Sequence, residues 1–225
     1  MKLHIGCLFT VLLTLVLLPG VRTRGAETSD SGWEHGFRLH SMTFDRNATL
    51  PLSTIATFAI SSTNPANACT YNGEAGGDQS PELSWTGVPE GTRSFVVVMY
   101  DVTASFTHWG MYNISGKATG LPANAGAVGS TFGEQINNDY GIGDQSYDGP
   151  CPPTGTGVTP LVHHYVFTVY ALDTKLPTLP TFGVFLPGAQ ALYHALLAAG
   201  RGGHILASAS RSGFYSAAAP PGPSQ

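Results

Sequence analysis

The most informative part of the sequence is Asn138-Asp-Tyr-Gly-Ile-Gly-Asp-Gln-Ser-Tyr-Asp-Gly-Pro-Cys-Pro-Pro153, which continues after a Gly/Thr-rich loop as His163-His-Tyr-Val-Phe-Thr-Val-Tyr-Ala-Leu-Asp173. In the first part, Gly149 permits unusual backbone angles and the prolines after it fix φ and remove backbone donors. This backbone is expected to hold one shape and to wall a pocket. From Tyr165 onward the apolar and β-branched run predicts a strand covered on both faces, with His163 and His164 at its entrance.

Composition favours a single domain built from many short strands. The 225 residues are 42% hydrophobic and only 11% charged, with 28 Gly and 16 Pro. Such a chain is richer in turns than in helices and can bury a sizeable core. The formal net charge is −4. Since binding to phosphate backbones needs a basic face, the charge argues against nucleic acid as a partner.

The N-terminus has the pattern of an export signal. Lys2 is followed by an apolar run from Ile5 to Leu18 and by a break at Pro19-Gly20, which predicts a signal peptide over residues 1–26 and a secreted or periplasmic protein. The alternative is a retained membrane anchor, but the run is short for a bilayer span. Because Cys7 lies in this segment, Cys69 and Cys151 remain, and an oxidising compartment favours a disulfide between them. Two separate buried cysteines are the alternative, and zinc would lack ligands.

The hydrophobic pattern predicts the remaining elements in chain order. A first strand is expected around Phe37 to Phe44, and Asn64 to Gln79 is expected to be a surface loop that carries Cys69. One helix is expected over Pro187–Ala199, with Gly200 as its stop, and residues 217–225 are expected to be a disordered Pro/Ala tail. Further strands are predicted at Ser94–Tyr100, which ends at Asp101, at His108–Ile114 and at His204–Ala209.

Several motifs in one order resemble the phosphatidylethanolamine-binding protein family, in particular its bacterial Raf-kinase-inhibitor-like branch, YbhB/YbcL. They are Ser80-Pro-Glu-Leu-Ser-Trp85, Gly91-Thr-Arg-Ser-Phe95, Asp101, His108-Trp109, Asn138-Asp-Tyr-Gly141, Gly149-Pro-Cys-Pro-Pro153, the strand from His163 and His204-Ile-Leu-Ala-Ser-Ala209. The similarity covers Leu39 to Tyr215. It implies a mainly β fold of two packed sheets, a β-sandwich with a few short peripheral helices, formed as a single domain over residues 27–216.

The resemblance also implies a small anion-binding pocket, with Cys151 in its wall. The residues carried over to it are Asp101, His108, Tyr147, Gly149, Pro152, Pro153, His163 and Tyr165. The chain departs from the family at two points. Asp101-Val-Thr-Ala-Ser105 replaces the usual Asp-Pro-Asp-x-Pro, and His164 stands where Arg is common.

The chemistry of this set favours binding. His108 and His163 can donate to an anion, most strongly when protonated, and Asp101 can orient a ring by accepting its other N–H. Affinity is therefore expected to rise as the pH falls through about 6.5. Because Asp101 repels an anion, a zwitterionic head group would suit the site best.

The sequence thus predicts a secreted binding or regulatory protein for phosphate or phospholipid head groups, without a cofactor or metal. The resemblance adds inhibition of a partner protein and a homodimer as further expectations. The alternative is a hydrolase that uses Asp101, His108 and His163, although no Gly-x-Ser-x-Gly or His-Glu-x-x-His motif supports an enzyme. Two N-glycosylation sequons, Asn47-Ala-Thr49 and Asn113-Ile-Ser115, stay without an assigned role.

Overall fold

The computed structural model describes residues 36–141, 145–154, 161–180 and 188–218. The chain divides into two units, residues 1–33 and 34–225, and the description concerns the second. The expected signal peptide and residues 219–225 of the expected tail lie outside the described residues. The first residues of that tail are described, and Ala217 is buried.

The described residues form three sheets, one α-helix and one 3-10 helix at Leu52–Thr54. The strands are β1 (Arg38–His40), β2 (Ala48–Thr49), β3 (Ala59–Ser61), β4 (Asn64–Asn67), β5 (Leu83–Thr86), β6 (Ser94–Asp101), β7 (Phe106–Ser115), β8 (Gly120–Leu121), β9 (Glu134–Gln135), β10 (His163–Leu172) and β11 (Ile205–Tyr215), and the helix is α1 (Gly188–Arg201).

The central sheet contains six strands in the order β2-β11-β10-β6-β7-β9. All neighbours are antiparallel except β2 and β11, which are parallel. A second sheet has the order β1-β5-β8, and β3 pairs with β4. The two larger sheets pack through one core that includes Leu39, Trp85, Phe95, Trp109 and Phe167. The expectation of a mainly β fold with two packed sheets is confirmed, with one α-helix among the described residues where a few were expected.

Alternation along β6 and β10 sets the two faces of the central sheet. Phe95, Val97 and Phe167 point into the core between the sheets, whereas Val96 and Leu172 belong to a second cluster under α1. The expectation that β10 is covered on both faces is therefore correct only in part. Its core face is buried, but alternate residues on its outer face are only half-buried. His163 and His164 consequently point to opposite faces.

Two sequence predictions near the N-terminal part of the domain are wrong in detail. The first strand ends at His40, because the backbone N–H of Met42 and the hydroxyl of Ser41 bond to Glu82, and Met42 is exposed. The segment Asn64–Gln79 is not simply a surface loop. It contains β4, and Cys69 in it is fully buried.

Asn67 organises this segment through four hydrogen bonds. Its Oδ1 accepts the backbone N–H groups of Phe58 and Cys69, each at 3.0 Å. Its Nδ2 donates to the carbonyls of Ala56 at 2.9 Å and Glu74 at 3.0 Å. Since buried polar groups are costly unless bonded, this saturated amide fixes the backbone around Cys69.

Cys69 and Cys151 form a disulfide across a sequence separation of 82 residues. The expected bond is thus present in the structure, and the alternative of two separate cysteines is not. The bond joins the segment organised by Asn67 to the Gly149–Pro153 loop.

We expect reduction of this disulfide to lower the free energy of unfolding by about 2–5 kcal/mol, because the reduced chain regains loop entropy in the unfolded state. Urea denaturation of the wild type with and without dithiothreitol measures the effect. The Cys69→Ala/Cys151→Ala double variant is the control, since its unfolding should not respond to the reductant. Equal stability of the wild type in both conditions would contradict the prediction.

Candidate functional site

The register of the central sheet brings three predicted residues to one face. Asp101, the last residue of β6, pairs with Tyr165 of β10, and His163 lies two residues before Tyr165 and so shares its face. Nδ1 of His163 is 2.6 Å from Oδ2 of Asp101. Both residues are buried, with 6% and 2% of their surface exposed. Asp101 therefore holds the His163 ring, as the sequence predicts.

Asp101 is also held by the turn that follows it. Its Oδ1 accepts the backbone N–H groups of Thr103 at 2.8 Å and Ala104 at 3.1 Å. Ser105 then adopts a left-handed φ of 55°, and the chain returns at Phe106 opposite Asp101. The altered motif thus forms a tight hairpin between β6 and β7, in which the first Asp retains its orienting role without the family's prolines.

A β-bulge places His108 in the same cluster. Met99 pairs with Trp109 but Tyr100 pairs with Thr107, so His108 is the extra residue. Bulges can redirect a side chain that strict alternation would send to the other face. Trp109 stays in the core, and the His108 ring packs edge-on against Tyr165, with 5.3 Å between ring centroids.

A backbone carbonyl fixes the tautomer of His108. Its Nδ1 is 2.9 Å from the carbonyl oxygen of Asp148, and because a carbonyl only accepts, Nδ1 donates. In the neutral ring the lone pair is therefore on Nε2. Burial lowers the pKa of His108 to about 4. The hydrogen bond to the Asp148 carbonyl and the charge of Asp101 raise this pKa, but by less than burial lowers it.

The pKa of His108 corrects one expectation from the sequence. A histidine with a pKa near 4 stays neutral through the range around 6.5, where its protonation was expected to strengthen anion binding. In this range the neutral ring of His108 carries an acceptor at Nε2.

Close backbone packing fixes the Gly149–Pro153 loop, which the sequence predicts to wall a pocket. A Cβ on Gly149 would lie 2.1 Å from the carbonyl oxygen of Thr54, so only glycine fits there. The hydroxyl of Tyr147 donates to the same carbonyl oxygen at 2.8 Å. Pro152 is buried and Pro153 is exposed. Tyr147 and Gly149 thus hold this loop against the segment around Thr54.

Four further residues join the site, although the sequence assigned no role to them. Asn138 donates to the carboxylate of Asp148, whose carbonyl holds His108. Tyr140 donates to the Gly149 carbonyl at 3.2 Å, and Asp78 accepts the Gly149 N–H at 2.8 Å. Asn138, Tyr140 and Asp148 lie in the segment from Asn138 to Pro153 that opens the sequence analysis. Their place in that segment was the signal by which the sequence could have identified them as site residues. Asp78 is 71 residues from Gly149 in sequence, and nothing in its local pattern marks it.

The environment of the site keeps its phenols protonated. Burial raises the pKa of Tyr140, and Asp148, Asp78 and Asp101 raise it further. Burial, followed by the charge of Asp101, likewise raises the pKa of Tyr165. The pKa of Asp78 is raised by burial and by Asp148, against the hydrogen bond from Gly149. Both tyrosines are therefore hydroxyl donors at neutral pH.

The hydroxyl of Tyr165 has no hydrogen-bond partner among the described residues, although it is buried. Leaving a buried polar group unbonded costs about 1–3 kcal/mol. The hydroxyl lies on the face of the sheet that carries Asp101 and His163. It is thus a donor within the histidine cluster that the surrounding protein does not use.

A groove of about 660 Å³ lies on the opposite face of the central sheet, against α1. Its lining includes Val98, Tyr100, Val166, Tyr170, Leu192 and Tyr193. Among the described residues that line it, the single carboxylate is that of Asp139, whose Oδ2 accepts the Thr107 N–H at 2.7 Å. We place the candidate site at the histidine cluster because it combines titratable groups with an unused donor. Within the described ranges, no group of three or more His, Cys, Asp or Glu side chains is arranged to hold a metal ion.

Comparison with known proteins gives a consistent result. A sequence profile described as phosphatidylethanolamine-binding protein matches residues 40–216. The UPF0098 protein YbcL of Escherichia coli is 42% identical over 111 residues, which are 45% of this chain and 57% of that protein. The candidate lipoprotein LppC of Mycobacterium tuberculosis is 34% identical over 123 residues, covering 53% of this chain and 56% of LppC. The chain thus spans less than two thirds of the length of these relatives.

A solved structure covers more of the chain. The crystal structure of Escherichia coli YbcL, described as a new member of the mammalian PEBP family, superposes with a TM-score of 0.59 at 30% identity. The match covers 80% of this chain and 98% of YbcL.

The lowered pKa of His108 predicts acid sensitivity of the fold. Its pKa is about 4 in the folded protein, against 6.5 in the unfolded chain, so the unfolded chain binds more protons between these values. The free energy of unfolding should therefore fall as the pH drops below about 6.5, by about 3 kcal/mol once the pH is below about 4. Urea denaturation at neutral pH and near pH 4 measures this loss.

The control is His108→Asn, whose amide can still donate to the Asp148 carbonyl but does not titrate. Carboxylates contribute equally to the pH dependence of both proteins, so the wild type should lose about 2–3 kcal/mol more than the variant. An identical pH dependence of the two proteins would show that His108 is not held neutral.

Proposed function

The chain belongs to the phosphatidylethanolamine-binding protein family, and we propose that it binds a small phosphate-bearing group at the cluster of Asp101, His108, His163 and Tyr165. The observation that carries the proposal is the buried Tyr165 hydroxyl without a partner among the described residues. A ligand oxygen that accepts from this hydroxyl recovers the cost of its burial.

The two histidines supply complementary groups. Nδ1 of His163 is taken by Asp101, so Nε2 is the nitrogen of this ring that is left for a ligand, and it donates to an oxyanion in the imidazolium form. His108 is neutral and its Nδ1 is taken by Asp148, so its Nε2 accepts. A phosphate that carries one proton fits this pair, because it has both acceptor oxygens and an O–H donor.

Three carboxylates limit the charge that the site tolerates. Asp78, Asp101 and Asp148 all raise the pKa of Tyr140 through their charge, so they share one neighbourhood. A dianion is repelled there, whereas a monoanion or a zwitterion such as phosphoethanolamine is tolerated. The charges of these three carboxylates therefore support weak binding of a singly charged head group.

Binding is supported better than catalysis. A hydrolase that used the His163–Asp101 pair in covalent catalysis would need a Ser, Thr or Cys nucleophile beside the imidazole. Within the described ranges, neither His108 nor His163 is hydrogen-bonded to a Ser, Thr or Cys side chain, and Cys151 is in a disulfide. We therefore propose that the pocket captures its ligand without turning it over.

Export is part of the proposal. The pattern of residues 1–26 and the disulfide fit an oxidising compartment, and one relative bears the name of a candidate lipoprotein. No helix in the described part of the chain is long and apolar enough to span a membrane. Inhibition of a partner protein and self-association remain proposals from the family resemblance.

We expect phosphoethanolamine, a phosphomonoester, to bind more tightly at pH 5.5 than at pH 8. Its phosphate dianion takes up one proton near pH 6, which reduces the repulsion from the carboxylates and provides the donor for His108. Glycerophosphoethanolamine, a diester without this proton, represents a lipid head group and should show a smaller pH effect. Titration calorimetry with both ligands distinguishes a free phosphate from a lipid-derived one.

His163→Ala should weaken binding about 10-fold or more, because it removes a charge-assisted hydrogen bond worth roughly 1.5–3 kcal/mol. His204→Ala is the matched control. His204 also pairs with an Asp through Nδ1, at 2.9 Å from Asp173, but it is exposed and lies at the other end of β10. Equal affinity of both variants, or no binding by the folded wild type, would refute the proposed site.

A further inference from the structure

We propose that Asn47 is the residue of this chain that accepts an N-linked glycan, and that Asn113 is not, although both lie in sequons. The sequence alone does not separate Asn47-Ala-Thr49 from Asn113-Ile-Ser115. The two asparagines differ in what their side-chain amides already bond. The inference is independent of the ligand site and requires only that the chain meets a glycosylating enzyme.

Asn47 presents its amide nitrogen to solvent. It is exposed, in a tight turn with a left-handed φ of 61°, closed by the Ala48 N–H donating to the Asp45 carbonyl at 3.0 Å. Its Oδ1 accepts the Ser212 hydroxyl at 2.6 Å. Among the described residues nothing bonds its Nδ2, which is the atom that glycosylation modifies.

The side-chain geometry of Asn47 survives the modification. A glycosylated amide keeps its carbonyl oxygen and one N–H, so the bond from Ser212 and the backbone bond from Asn47 N–H to the Ser212 carbonyl, at 2.7 Å, are both retained. Thr49, which completes the sequon, is also exposed. It lies in β2, the outermost strand of the central sheet, so a glycan here projects from the sheet edge.

Asn113 is committed to the fold. Its Nδ2 donates to Oε1 of Glu134 at 2.8 Å and to the Leu176 carbonyl at 3.0 Å. Its Oδ1 accepts the Leu176 N–H at 2.9 Å. A glycan replaces one of the two amide hydrogens, so it would break at least one of these bonds and force the Leu176 segment away from β7.

The reaction at Asn47 is a transfer from a lipid-linked oligosaccharide diphosphate. Nδ2 forms a bond to the anomeric carbon of the first sugar, and the anomeric C–O bond breaks. The lipid diphosphate leaves with the electron pair, and one amide proton passes to a base of the transferase. The protein supplies only an accessible sequon.

The test expresses the full chain behind a host signal peptide in secreting mammalian cells, so that it does not depend on the native export signal. Secreted protein is treated with peptide N-glycosidase and its peptides are mapped by mass spectrometry, which detects the conversion of glycosylated Asn to Asp. We expect conversion at Asn47 and none at Asn113.

Two variants keep both asparagines and remove one sequon each. Thr49→Ala should abolish the glycan, whereas Ser115→Ala should leave glycosylation unchanged. A glycan on Asn113 of folded, secreted wild type would overturn the proposal, and so would an unmodified Asn47 in that protein.

Discussion

The buried carboxylate of Asp101 is the group on which the site depends. A carboxylate in the core is unstable unless every oxygen is bonded, and Asp101 meets this need with the turn amides of Thr103 and Ala104 on one oxygen and with His163 on the other. These bonds join the β6–β7 hairpin to the start of β10. The position of His163 is therefore a consequence of how the protein satisfies one charge in its interior.

The Gly149–Pro153 loop depends on a second constraint, the approach of Gly149 to the Thr54 carbonyl, where no side chain fits. Asp78, Tyr140 and the disulfide of Cys151 then hold the loop from three directions. The Asp148 carbonyl, next to this loop, sets the tautomer of His108. The position of the loop backbone therefore determines which ring nitrogen carries the lone pair.

The sequence predicted the parts of the structure that periodicity and composition control. The strands at Ser94–Asp101 and from His163, and the helix Gly188–Arg201, follow from apolar runs, although Gly200 lies inside the helix and is not its stop. The burial of the two faces of β10 was harder to predict, because an apolar run does not distinguish a fully buried strand from one whose outer face is only half-buried. The bulge at His108 could not be predicted from the sequence, since it is defined only by the pairing of β6 with β7. Asp78 was missed for a related reason: its role arises from a contact between distant parts of the chain.

The lowered pKa of His108 also could not be predicted from the sequence. It changes which hydrogen-bonding groups the proposed site offers to a ligand. Two protonated histidines would bind any small oxyanion without selectivity. In the proposed function, one neutral histidine with its lone pair on Nε2 presents an acceptor beside a second histidine that Asp101 orients. A ligand without a proton would leave this acceptor facing a negative oxygen, and a site with buried polar groups rejects partners that leave those groups unpaired. The burial that lowers the pKa of His108 would then favour a protonated or zwitterionic group, at the expense of the stability of the fold in acid.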